Sequence, residues 1–207
     1  ERSETAARAD GVNKLNHPAA ITPVTDGDNV YVFFKDFGLL SYGPDGNERW
    51  RLPLGPFSNF HGMGTSPILV GNKLILVCDQ DSGSYMIALD KETGRQRWRV
   101  DRSEVTRSYV TPVIYKPAAG ADELIVPGAY QVTSYSPATG EKLWWVRGFS
   151  WQPKSLPVID NGVIYVHGWE GGGEVEEPTE TPTWEEALKL YDANKDGKIV
   201  QEEIDPK

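Results

Sequence analysis

A single cysteine, Cys78, stands among 207 residues, so no disulfide can form within the chain. It closes the apolar run Leu74-Ile75-Leu76-Val77, where a thiol serves as a small hydrophobe rather than a nucleophile. One lone cysteine fits a reducing compartment and equally an exported bacterial protein, which leaves the compartment open. Histidine is scarce too, with three. His17, His61 and His167 lie far apart, and no H-E-x-x-H, G-x-S-x-G or phosphate-loop lysine is present, so no catalytic residue is assigned. Gly62-Met63-Gly64-Thr65 lacks the third glycine and the strand-to-helix setting of a dinucleotide site and reads as a loop. No apolar run approaches the roughly 18 residues that cross a bilayer, and the start shows no basic and apolar export signal. Direct membrane insertion is therefore not expected.

A surplus of basic charge is missing too. The net charge is −9, and it is unevenly spread: residues 170–207 carry 12 acidic and four basic side chains, residues 1–169 carry 18 and 17. A near-neutral body with an acidic tail offers no footprint for phosphate backbones, which excludes nucleic acid as the expected partner. What the chain does have is 21 glycines, 15 prolines and seven tryptophans, the composition of many short strands joined by turns.

Those residues recur in step. Thr22-Pro23-Val24, Ser66-Pro67-Ile68, Thr111-Pro112-Val113 and Leu156-Pro157-Val158 set a proline before an apolar strand at intervals of 44, 45 and 45 residues. Asp45-Gly46, Thr93-Gly94 and Thr139-Gly140 each precede a tryptophan, Trp50, Trp98 and Trp144, with three residues between glycine and tryptophan. About four strands fit a unit of this length, and radial repetition of four-stranded sheets gives such units a common core. The fold class is all-β: a partial β-propeller of about three and a half four-stranded antiparallel blades. Within each unit the glycine supplies the positive φ of the turn before the last strand.

The fourth unit starts at Pro157 and runs through Val158-Ile159-Asp160-Asn161-Gly162-Val163-Ile164-Tyr165-Val166, but no second half with its turn and tryptophan follows. At Gly171-Gly172-Gly173 the composition shifts to an acidic Gly/Pro linker. The expected organisation is a lead-in over 1–21, blades over 22–169, the linker over 170–182 and a helical calcium-binding segment over 183–207. An open ring reads as a portion of a larger propeller, whose unpaired end sheets favour association.

The last segment carries the sharpest chemical motif. Asp192-Ala193-Asn194-Lys195-Asp196-Gly197-Lys198-Ile199-Val200-Gln201-Glu202-Glu203 fits the twelve-residue EF-hand calcium loop. A hard cation needs several oxygens around one point. Asp192, Asn194 and Asp196 supply side-chain oxygens, Lys198 its backbone carbonyl, and Glu203 two carboxylate oxygens, while Gly197 permits the sharp turn. Thr183-Trp184-Glu185-Glu186 is a capping box, with Trp184, Ala187, Leu188 and Tyr191 on one face of an entering helix. An exit helix is poorly signalled, since only Ile204 separates Glu203 from Asp205-Pro206. Calcium is the one expected cofactor.

Ala88-Leu89-Asp90-Lys91-Glu92-Thr93-Gly94-Arg95-Gln96-Arg97-Trp98 resembles the A-x-D-x-x-T-G-x-x-x-W signature of the PQQ-like, or quinoprotein-type, propeller repeat, with Ser41–Trp50 and Ser134–Trp144 as weaker copies. Over Thr22–Trp169 the chain is similar to bacterial outer-membrane assembly factor (BamB-like) proteins. The resemblance implies tryptophans docked between neighbouring blades and a periplasmic or extracellular setting. Quinone-using members have adjacent cysteines at the cofactor and an aspartate beside an active-site calcium, and this chain has no cysteine pair. The calcium loop, moreover, lies outside the repeats. The expected function is accordingly a non-enzymatic binding or scaffold propeller with a protein partner on a propeller face. The alternative is part of a PQQ-dependent oxidoreductase whose active residues lie mostly elsewhere, with Arg107, Trp145, Trp151 and Lys154 as candidates to line a central funnel.

Overall fold

The computed structural model describes residues 16–17, 20–35, 37–168, 182–200 and 203. Most of the expected lead-in, the linker up to residue 181, Trp169 and the residues flanking Glu203 lie outside these. The chain divides into two compact units, Glu1–Glu170 and Gly171–Lys207.

The first unit is a partial β-propeller. One sheet holds β1 (Val24–Thr25), β2 (Val30–Phe34), β3 (Gly38–Tyr42) and β4 (Glu48–Leu52). The second holds β5 (Ile68–Val70), β6 (Lys73–Cys78), β7 (Tyr85–Asp90) and β8 (Gln96–Asp101). The third holds β9 (Val113–Tyr115), β10 (Glu123–Gly128), β11 (Gln131–Tyr135) and β12 (Lys142–Arg147). Each strand pairs antiparallel with its neighbour in sequence. The half unit forms a two-stranded sheet, β13 (Val158–Asp160) with β14 (Val163–Tyr165), around the Asn161-Gly162 turn. Pro127 is tolerated inside β10 because its pairing with β9 ends at Ile125, so the missing N–H faces no strand on that side.

Position in the row of blades explains the hydrophobic pattern. β6 and β7 belong to the middle blade and are buried along nearly their whole length, which is why Leu74–Cys78 reads as an unbroken apolar run. One face packs Leu74, Leu76, Ile87 and Leu89 against Tyr31, Phe33 and Leu39 of the first blade. The other packs Ile75, Val77, Met86 and Ala88 against Leu124, Val126 and Tyr135 of the third. Cys78 is fully buried in the first of these layers, and burial pushes its thiol up to about 12, so it packs and does not react.

The three landmark tryptophans hold equivalent places. Trp50, Trp98 and Trp144 stand opposite Ser41, Ala88 and Ser134, each beside a one-residue slip in register. Trp50 Nε1 donates across the blade boundary to the Lys91 carbonyl at 2.9 Å, and Trp98 Nε1 to the Pro137 carbonyl at 3.3 Å. The turn glycines form the seats. A Cβ on Gly94 would lie 2.7 Å from the Trp50 indole, and one on Gly140 would lie 2.7 Å from Val100 and 2.9 Å from Trp98. Glycine is thus required there twice over, by φ values of +69° and +79° and by the approaching side chains.

The proline landmarks organise the innermost strands. The residue before each proline is held extended, and these residues link the blades. Thr22 N donates to Ser66 Oγ at 3.0 Å, and Ser66 N donates to Thr111 Oγ1 at 2.9 Å. At the next step Leu156 stands where a hydroxyl would continue the series.

A buried ion pair adds a second tie. Arg102 Nε and Nη2 donate to the two Asp79 carboxylate oxygens at 2.8 and 2.9 Å, with both side chains fully buried. Arg102 Nη1 donates to Tyr135 of the third blade at 2.6 Å, and Ser108 Oγ donates to Asp79 at 2.8 Å. Nearer the surface, Lys91 of the second blade pairs with Asp26 of the first at 2.7 Å. That ammonium, with backbone N–H groups and the Tyr31 hydroxyl, holds the Asp26 carboxyl well below the usual carboxylate range.

In the second unit, α1 (Trp184–Tyr191) starts where the capping box placed it: Glu186 N donates to Thr183 Oγ1 and Thr183 N donates to Glu186 Oε2. None of its residues is buried, and Trp184 keeps 59% of its surface exposed.

Candidate functional site

Two places carry chemistry. The first is the end of the blades where the loops 53–67, 102–112 and 148–157 lead from each outermost strand to the next innermost one. The repeat period aligns these loops, so Gly64, Tyr109 and Lys154 follow one another at steps of 45 residues. Together with Asn16 and His61 they line a cavity of about 330 Å³. Asn16 Nδ2 donates to the His61 carbonyl at 2.6 Å, and the Tyr109 hydroxyl donates to Asn59 Oδ1 at 3.1 Å. Burial raises the Tyr109 phenol above its ordinary value, so it remains a donor at neutral pH.

An aromatic and cationic cluster rims this cavity. Phe60 packs edge-on to His61 at 4.9 Å, and His61 to Tyr109 at 6.0 Å. The Arg107 guanidinium lies 6.0 Å from the Phe60 ring and 5.6 Å from Trp151. Its Nε forms an ion pair with Asp81 Oδ1 at 2.5 Å. Phe60 and Trp151 are nonetheless 63% and 45% exposed. Of the four residues expected at a funnel, the structure brings Arg107 and Trp151 together and sets Lys154 in the adjoining cavity wall. Trp145 does not join them. It lies on the outermost strand β12, where Lys142 approaches its ring at 5.9 Å, because a strand next to Trp144 alternates its side chains to opposite faces. Phe60, His61 and Tyr109 were missed in the sequence, although the 45-residue step from Gly64 to Tyr109 to Lys154 is visible there.

The second place is the loop after α1. Asp192 Oδ1 and Oδ2 accept from Asp196 N at 3.2 Å and Gly197 N at 2.9 Å. Asn194 Oδ1 accepts from Asp196 N at 2.8 Å, and Asp196 Oδ1 from Lys198 N at 2.9 Å. Glu203 reaches back across the loop: its Oε1 accepts from Ala193 N and Asn194 N, and its Oε2 from Val200 N. Lys195 and Gly197 have φ of +60° and +79°, which folds the loop tightly. The structure therefore brings Glu203 to the start of the loop that contains Asp192, Asn194 and Asp196. Among the described residues no group of three or more His, Cys, Asp or Glu side chains is gathered as for a metal ion.

Residues 3–194 match the family described as outer membrane protein assembly factor BamB. The chain belongs to that family. The BamB match is wider than the span from Thr22 to Trp169 that the repeat landmarks marked out, since those landmarks lie only within the blades. BamB from Moraxella catarrhalis shares the fold with a TM-score of 0.52 at 16% identity, over 68% of this chain and 43% of that one. The chain thus spans less than half of that BamB. A europium-containing methanol dehydrogenase has a TM-score of 0.49 at 12% identity, over 63% and 32% of the two chains. For a quinohemoprotein alcohol dehydrogenase from Comamonas testosteroni the values are 0.46 and 21%, over 62% and 21%. No curated protein sequence matches the chain. Among the described residues no helix is long and apolar enough to cross a membrane.

Proposed function

We propose that the chain is a non-enzymatic binding propeller of the bacterial periplasm or cell exterior that holds a protein of outer-membrane assembly on its loop face. The observation that carries this is Arg107 placed between exposed Phe60 and Trp151. Aromatic residues and arginine are the groups that dominate binding energy at protein interfaces. Membership of an assembly-factor family supports the same reading. A photo-crosslinking residue placed at Phe60 or Trp151 is expected to capture an outer-membrane protein or a component of its assembly machinery in cells. The same residue at Asp122, on the opposite end of the blades, is expected to capture neither. Capture from Asp122 alone overturns the reading. So does uptake of pyrroloquinoline quinone with alcohol- or sugar-dependent dye reduction, which would favour an oxidoreductase.

The same proposal assigns one calcium ion to the second unit, held by Asp192, Asn194, Asp196, the Lys198 carbonyl and Glu203. The donor set fits: the oxygens are hard, Glu203 already lies across the loop, and the turn at Gly197 is made. A loop without a partner loop binds weakly, with a dissociation constant of about 10⁻⁴–10⁻³ M. Titration calorimetry at millimolar calcium should show one site. Glu203→Gln should weaken it most among the ligand changes, because it removes a charge and the two-oxygen clamp, and magnesium should compete poorly. Heat no greater than dilution, or binding unchanged in Glu203→Gln, leaves only a solvated acidic turn.

A further inference from the structure

Arg107 owes its place between Phe60 and Trp151 to a residue of the second blade. Asp81 lies in the turn between β6 and β7, at the same end of the blades as the three loops, and it reaches two of them. Its N–H donates to the Ser58 carbonyl at 2.7 Å and its Oδ2 accepts from Ser58 Oγ at 3.1 Å, which ties the turn to the loop 53–67. Its carbonyl accepts from Thr106 Oγ1 at 3.4 Å and its Oδ1 pairs with Arg107 Nε at 2.5 Å, which ties the turn to the loop 102–112. Tyr109 N donates to the Pro153 carbonyl at 3.2 Å and brings in the loop 148–157. Each of these loops leaves a complete four-stranded blade, so the meeting of Phe60, Arg107 and Trp151 does not depend on the half sheet β13–β14.

The same pairing sets the charge of this face. Arg102 is matched by Asp79, Glu104 by Lys142 and Arg107 by Asp81, while Lys154 stands apart in the wall of the adjoining cavity. An acidic side chain that approaches Arg107 also meets the Asp81 carboxylate, 2.5 Å from Nε, and repulsion by the one largely cancels attraction by the other. An uncharged aromatic ring meets no such repulsion. It gains from the guanidinium face, which still stacks on rings while its edge is held in an ion pair, and from contact with Phe60 and Trp151.

We propose that Asp81 is the positioning residue of the loop face: it holds the Arg107 guanidinium between Phe60 and Trp151 and cancels its charge toward acids, so that the face takes an uncharged aromatic side chain of the protein partner. This rests on the reading of the loop face as a protein-binding surface and adds the chemistry of what binds there. Without Asp81, Arg107 is a surface cation that takes a carboxylate. With it, the cation and the two rings select an aromatic group.

The test uses the full chain labelled with fluorotryptophan, the Trp151 fluorine resonance being assigned by its loss in Trp151→Phe. The probes, at one ionic strength, are N-acetyltryptophanamide, which is neutral and aromatic, and acetate. In the parent chain the neutral probe should shift the Trp151 resonance saturably, and acetate should leave it in place. In Asp81→Asn the resonance should move before any probe is added, the neutral probe should shift it less, and acetate should now shift it. Asp81→Glu, which keeps the charge, should restore the parent preference. The other six of the seven tryptophans, read without probe, report whether a variant is folded. If Asp81→Asn disturbs them, Ser58→Ala, which removes one bond that fixes the carboxylate, should give the same changes in smaller measure. A Trp151 resonance that acetate shifts in the parent as much as the neutral probe does, that the neutral probe leaves in place, or that Asp81→Asn does not move overturns the proposal. The outcome is separable from in-cell capture at Phe60: capture with the wrong probe preference removes the role of Asp81 alone, whereas the expected preference without capture removes the protein-binding reading.

Discussion

Arg102→Ala should destabilise the propeller unit by about 3–5 kcal/mol, a large share of the roughly 5–15 kcal/mol that holds a domain of this size together. The reason is what remains behind. Asp79 is fully buried and receives two Arg102 hydrogen bonds at 2.8 and 2.9 Å, so removing the guanidinium leaves a carboxylate in the interior with Ser108 as its one remaining side-chain partner among the described residues. Desolvation works against the Arg102 charge, but Asp79 and Tyr135 outweigh it, and the guanidinium pKa is raised. Arg102→Lys should lose an intermediate amount, since an ammonium keeps the charge but not the two-pronged geometry. The double change Asp79→Leu with Arg102→Met should recover most of the loss, because a buried pair replaced by apolar groups of similar volume is often neutral. Urea unfolding followed by tryptophan fluorescence reads all three. A loss under about 1 kcal/mol in Arg102→Ala would place the pair outside the forces that hold the second and third blades together.

That pair also marks where sequence reading stopped. Asp79 follows the apolar run ending at Cys78, and Arg102 follows β8, 23 positions further on, with no periodic signal to join them. Their meeting is a product of blade packing. The loop-face cluster is similar: Phe60, His61 and Trp151 lie in segments without strand periodicity, and only the alignment of three loops brings them to one rim. The blades themselves were legible because each depends on local chemistry repeated at a fixed step, a proline that holds an inner strand extended and a glycine that permits a turn. The same step showed that Trp50, Trp98 and Trp144 are equivalent. It did not show that the glycines four residues before them serve the preceding blade's tryptophan, since those partners lie more than 40 residues apart. In the second unit the capping box located α1 to the residue, whereas its expected apolar face is not buried: a capping box needs only local hydrogen bonds, and burial needs a partner surface.

The glycine seats give a matched pair of changes that separates backbone strain from packing. Gly46 and Gly94 have similar conformations, φ +77° and +69°, and the same offset to a tryptophan, but nothing lies within 4 Å of a Cβ built on Gly46. Gly46→Ala should therefore cost only the left-handed strain, about 1–2 kcal/mol. Gly94→Ala bears the same strain and also drives a methyl to 2.7 Å from Trp50, where the indole must leave its seat and its bond to Lys91. Overpacking of that kind adds about 1–3 kcal/mol, for a total of about 2–5 kcal/mol. In a Trp50→Leu background the added cost should vanish, because the side chain that collides is gone, and the coupling between the two positions measures the seat directly. Equal losses for Gly46→Ala and Gly94→Ala in the parent chain, or no coupling with Trp50→Leu, would mean that the glycine serves the turn alone and that the indole is held by the hydrophobic layer around it.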